Sequence, residues 1–175
     1  ASRVTEIERA GNGWLLFAAS GTTPGQLCRA KFLALGAPLA AVCVLWGLCV
    51  PMWGALLGVP APVPTGRIVA YTASVCVISL VILALQLLIS LASDNQLLAV
   101  GAGMLGVLLS MIGAMAPTLA QYLTPWTYYS LVAPMTFTGS DPVYLDVPFP
   151  GALVLAIAGA VAFTVITTRL DRKEV

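Results

Sequence analysis

The side chains able to do chemistry are few, and their placement rules out most of what they could do. The 175 residues include no histidine, and only 8 Lys plus Arg and 7 Asp plus Glu. Cys28, Cys43, Cys49 and Cys76 form no CxxC, and three of them lie inside apolar runs. Such thiols read as small buried hydrophobes rather than as disulfide partners or metal ligands. Ser74, Ser79, Ser90 and Ser110 lie in stretches with no acid or base to activate a hydroxyl. Intramembrane proteolysis would need an Asp pair or a Ser with its base, and b-type haem would need His. No Walker motif or other phosphate loop occurs. Gln86 is the most polar group within the long apolar stretches, and is expected to hydrogen-bond across a helix interface.

The elements that carry these residues follow from composition. The chain is 59% hydrophobic and 9% charged, with mean hydropathy +0.97; a soluble domain carries about 25% charge. So few charges cannot cover a water-soluble globule of this size, and so apolar a chain is not disordered. A net charge of +1 argues against nucleic-acid binding. An integral membrane protein remains.

Charge is absent from Phe32 to Gly66, Ile68 to Ser93, Asn95 to Ser140 and Val147 to Thr168. A helix needs about 20 apolar residues to cross the hydrocarbon. Four spans are predicted: Phe32–Gly58, Ile68–Leu91, Gln96–Met115 and Gly151–Thr168. Pro38 and Pro51 predict kinks or a frayed end in the first. The fold class is therefore all-α, a polytopic membrane helix bundle.

Seven of the eight basic residues flank the termini: Arg3, Arg9, Arg29 and Lys31 before the first span, and Arg169, Arg172 and Lys173 after the last. Only Arg67 lies between spans. The positive-inside rule then puts both ends in the cytoplasm and Val59–Gly66 and 116–150 outside. The chain divides into a cytoplasmic loop with the start of the first span, 1–31, and a transmembrane bundle, 32–175, with an external segment, 116–150, and a short cytoplasmic tail, 169–175. The first residues read as the middle of a cytoplasmic loop, so a further N-terminal part is expected to precede them.

Thr23-Pro24-Gly25-Gln26 is a helix start, with Thr23 as cap, Pro24 at the first helical position and Gln26 closing a capping box. The first membrane helix then begins about two turns before the membrane, with Arg29 and Lys31 at the headgroups. Thr5-Glu6-Ile7-Glu8 is a second capping-box match. It would start a short helix bearing Trp14, Leu15, Leu16 and Phe17, weakened by Gly11 and Gly13. That helix could lie at the membrane interface, dock in a partner's groove, or be an ordinary juxtamembrane elbow. Asp94 suits the N-terminus of the third span through the helix dipole.

Ala102, Gly106, Ser110 and Ala114 repeat every four residues, as do Ala152, Ala156, Ala160 and Thr164. Small stripes allow close helix approach in lipid, and packing within the chain explains both more simply than a dimer seam. The segment from Thr118 to Met135 is apolar but broken at Pro125. Thr124-Pro125 reads as the start of a second short helix. A mild break would set Tyr122, Trp126 and Tyr129 on one face. Neither half can span, so a helix pair lying at or dipping into the outer leaflet is expected. The proline-rich stretch from Met135 to Pro150 reads as an extended loop.

Glu8-x-x-Gly11-Asn12-x-Trp14 followed by Pro24-x-Gln26-Leu27-x-x-Ala30-Lys31-Phe32 resembles the cytoplasmic loop of ABC-2-type permeases. Tyr122-Leu123-Thr124-Pro125-Trp126-Thr127-Tyr128-Tyr129 is similar to the PW-x-Y element of the lantibiotic-protection, or immunity, permeases. The family has six spans, and this chain would supply the last four. The resemblance implies a permease subunit of an ATP-driven exporter, paired with a second permease subunit as a homo- or heterodimer in a bacterial cytoplasmic membrane. Each subunit would dock on a separate cytoplasmic ATPase, which would hold the ATP and Mg; this chain would hold no cofactor. Glu8, Gly11, Trp14, Leu15 and Phe17 would belong to the helix that couples to the ATPase. Thr23, Pro24, Gln26, Arg29 and Lys31 would form the membrane entry. Tyr122, Pro125, Trp126 and Tyr129 would form a re-entrant pair near substrate exit. A hydrophobic or amphipathic substrate suits an uncharged interior, and a membrane-active peptide is the sharpest expectation. The contrasting expectation is a non-transporting scaffold or small subunit of a larger membrane complex.

Overall fold

A computed structural model describes residues 21–58, 65–93, 95–113, 115–138 and 141–173. The expected coupling residues Glu8, Gly11, Trp14, Leu15 and Phe17 lie outside the described residues, as do Asp94 and Ala114. The elements, in chain order, are α1 (Pro24–Leu56), α2 (Thr65–Ala92), α3 (Gln96–Gly113), α4 (Thr118–Gln121), α5 (Tyr128–Leu131), β1 (Met135–Thr138), β2 (Asp141–Tyr144) and α6 (Phe149–Lys173).

α1 starts as its residues predict. The Gln26 N–H donates to the Thr23 hydroxyl at 3.3 Å, and the Thr23 N–H donates to the Gln26 side-chain oxygen at 3.3 Å. Pro24 occupies the first turn, where no intrahelical N–H bond is lost. The helix runs through Pro38 and Pro51 without interruption. It ends at Leu56, and Gly58 just beyond the cap has φ of +67°, the left-handed turn that glycine adopts without a Cβ penalty. At 1.5 Å per residue its 33 residues reach about 50 Å, more than the hydrocarbon thickness of about 30 Å.

Among the described residues, three helices are long and apolar enough to cross a membrane: α1, α2 and α6. α3 is apolar but shorter. The expected third span to Met115 stops at Gly113 because Pro117 disfavours helical backbone just before it. The described residues are helical apart from turns and one antiparallel hairpin. There Met135 faces Tyr144 and Thr138 faces Asp141, inside the stretch expected to be an extended loop.

α2 is the centre of the bundle. It packs on α1 and α6, α1 packs on α6, and α3 lies against α2. The first residues of α1 and the last of α2 and α6 share one end, because Cys28, Leu87 and Phe163 form one buried cluster. Phe32 and Phe163 meet with ring centroids 5.0 Å apart and planes tilted by 42°. Arg29, Arg169 and Arg172 sit at this end, here termed the basic end. A second cluster, Ile78, Tyr128 and Val132, closes the opposite, aromatic end.

Large apolar side chains lie exposed all round this bundle, including Val42, Leu45, Trp46 and Trp53 on α1 and Met104, Leu105 and Met111 on α3. A soluble protein keeps such patches to a few hundred Å². Lipid, or further helices, must cover these faces, so the fold is that of a membrane-associated helix bundle.

Candidate functional site

Serines are the commonest hydroxyls in α2. Ser74 donates to the Ala70 carbonyl at 2.8 Å, Ser79 to Val75 at 2.7 Å and Ser90 to Gln86 at 2.7 Å. Each hydroxyl is satisfied by its own helix, and none faces a base. Among the described residues no three of His, Cys, Asp and Glu group to hold a metal ion. What the arrangement offers is an exposed apolar surface around a short irregular segment.

That surface is built around residues 118–132. α4 and α5 are single turns, separated by a break over 122–127. The second helix starts at Tyr128, not at Thr124-Pro125 as the sequence predicts, and Thr124 and Pro125 fall inside the break. Thr127 is buried and holds the break together. Its hydroxyl contacts the Thr124 carbonyl at 2.7 Å, the Gln121 carbonyl at 2.5 Å and the Thr124 hydroxyl at 3.0 Å. The Gln121 amide donates to the Ala116 carbonyl at 2.9 Å. These bonds satisfy irregular backbone that lipid could not satisfy.

Because the break is sharp, the three aromatics do not share a face. Tyr122 meets Tyr128 edge to face at 5.5 Å and lies against Gly151 of α6. Trp126 lies against Gly106 of α3, so closely that a Cβ there would strike its indole. Tyr129 reaches Ser79 of α2, hydroxyl to hydroxyl at 2.9 Å. The Ser79 proton points to its own helix, so the phenol is the donor. Burial pushes the Tyr128 and Tyr129 phenols above their ordinary range, and both stay neutral.

Beneath Trp126 and Tyr129 a groove of about 460 Å³ opens between α2 and α3, a size usual for ligand sites. Ile82, Val100, Val107 and the two aromatics give it apolar walls, and Gln86 is the polar exception. With its amide turned to satisfy both neighbours, Gln86 donates to the Ala99 carbonyl at 3.0 Å and accepts from the Gly103 N–H at 3.2 Å. In that orientation Gln86 bonds across to α3, the kind of bond expected of it. Pro125 lines a smaller apolar cavity, between α2 and α6.

The small stripe of α3 has a different partner from the one the spacing suggests. Gly106 takes Trp126, and the Ser110 carbonyl accepts from Ser130 at 3.4 Å. Ala102 is half-buried. The stripe thus seats the broken aromatic segment rather than a second long helix. On α6 the contact face is Ala152, Gly159, Phe163 and Thr167, while Ala160 and Thr164 are exposed. A strict four-residue repeat drifts off a face that turns every 3.6 residues.

At the basic end the structure brings two of the predicted membrane-entry residues, Thr23 and Arg29, onto one that spacing did not single out, Asp171. Its carboxylate meets Arg29 at 2.8 Å and accepts from the Thr23 hydroxyl. Gly25 presses on the Thr167 carbonyl and on Asp171 itself. Lys31, expected at the headgroups, is 7% exposed. Asp171 reads as an ordinary tail charge between Arg169 and Arg172, and no local signal distinguishes it.

No family model, curated protein or solved structure matches this chain.

Proposed function

We propose that the chain is a transmembrane permease subunit of an ATP-driven ABC-2-type exporter. The observation that carries this reading is the broken aromatic segment seated on three helices above a mostly apolar groove with one amide. Such a groove suits a hydrophobic or amphipathic substrate, a membrane-active peptide above all. The interiors of the long helices offer no ionisable residue for ion coupling, so the energy comes from another polypeptide. That polypeptide is a cytoplasmic ATPase holding ATP and Mg, docked on Glu8, Gly11, Trp14, Leu15 and Phe17. A second permease subunit completes the assembly in a bacterial cytoplasmic membrane, with both ends of this chain cytoplasmic.

The experiment compares the full-length wild type with Trp14→Glu, each purified in mild detergent. The wild type should retain a stoichiometric ATPase, and the variant should lose it or hydrolyse ATP without transport. Unchanged association and coupling in Trp14→Glu would refute the docking assignment.

One observation favours a second reading. The exposed Trp46 and Trp53 face of α1 suits packing against further spans, as in a scaffold or small subunit of a larger membrane complex. That reading predicts membrane partners and no ATPase.

A further inference from the structure

α1 is the helix that the expected coupling segment enters, and its first turn is not capped by its own residues alone. Thr23 supplies the local cap. Asp171, 148 positions away on α6, accepts from the same Thr23 hydroxyl and from Arg29. An anionic group at a helix N-terminus meets both the exposed N–H groups and the positive end of the dipole. The fit is close as well as charged, because Gly25 leaves no room for a Cβ between α1 and the α6 backbone. One helical turn or two further in, Cys28 is fully buried and Phe32 meets Phe163.

We infer that the Thr23–Arg29–Asp171 junction is a latch that makes the basic ends of α1 and α6 move as one body. Force delivered to the chain before Thr23 then reaches α6 directly through this junction. Asp171 and Arg29 are positioning residues in this account. The inference rests on the coupling reading above, since it assigns a route to motion that the ATPase would supply.

The test uses the full-length protein with its co-purified ATPase in nanodiscs. Hydrogen exchange is measured with and without MgATP plus orthovanadate, for wild type, Asp171→Ala and Arg29→Gln. Without nucleotide, Asp171→Ala should speed exchange in the first turn of α1 and the last turn of α6 by about tenfold, as loss of a charge-assisted bond implies. With nucleotide, the wild type should change protection at both ends together. Asp171→Ala should change it at α1 only, with its ATPase still bound. If Asp171→Ala fails to assemble, Arg29→Gln serves in its place, with a smaller uncoupling in the same direction expected. A variant whose two ends still respond together overturns the latch and leaves the coupling reading standing. A wild type that retains an ATPase but responds at neither end overturns both.

Discussion

The two ends of the bundle are held by different chemistry. At the basic end, α1 and α6 meet through a carboxylate, a guanidinium and a helix cap, over a core of Cys28, Leu87 and Phe163. At the aromatic end, two four-residue helices are held by a threonine hydroxyl, a tyrosine–serine bond and rings seated on Gly106 and Gly151. Isolated turns of that length have no stability of their own. They persist because Ile78, Tyr128 and Val132 bury one another. The difference teaches that charge was placed where two helices join, and neutral donors were placed where backbone must be satisfied next to an apolar groove. The ion pair is also partly exposed, Arg29 at 37%, so its energy is modest, whereas the aromatic end depends on packing.

Substitutions can sharpen that contrast. The largest effect should come from Ile78→Ala, which opens a cavity under Tyr128 and Val132. A loss of about 3 kcal/mol is expected, seen as a lower melting temperature in nanodiscs and faster exchange over 118–132, with 24–29 unaffected. Gly25→Ala should be next, at about 2 kcal/mol, because the added methyl meets a backbone carbonyl that cannot turn aside. Its damage should appear at α1 and α6 and spare the aromatic segment. Thr127→Val removes the hydroxyl that serves the Gln121 and Thr124 carbonyls, and should cost about 1.5 kcal/mol, read as faster exchange within 122–127. Tyr129→Phe should be the mildest, at about 0.6 kcal/mol, because Ser79 remains bonded to Val75. If Ile78→Ala and Gly25→Ala each loosened both ends equally, the ends would be one cooperative unit and the contrast would fall.

Local signals carried far into the structure, and tertiary ones did not. The Thr23–Gln26 capping box is a pattern of four residues, and the structure forms it as written. The apolar stretches of α1, α2 and α6 were readable because lipid demands length and an absence of charge. Gln86 could be assigned a cross-helix bond because nothing else in its surroundings could satisfy an amide. α3 ended early because a proline just beyond the expected span outweighed hydropathy. The shared aromatic face was expected only for a mild break at Pro125, and how sharply the chain breaks is set by Thr127 through bonds to residues three and six positions back. Asp171 was invisible for the same kind of reason. Its partners are 142 and 148 positions away, and only the packing of α1 on α6 brings them together.

The central claim is that this bundle works with a separate ATPase. The most direct test is to purify the full-length protein from its native membrane in mild detergent and identify what accompanies it by mass spectrometry. The account predicts a stoichiometric polypeptide with Walker motifs, released by Trp14→Glu. Membrane subunits alone, with no nucleotide-binding partner, would contradict it and leave the scaffold reading in its place.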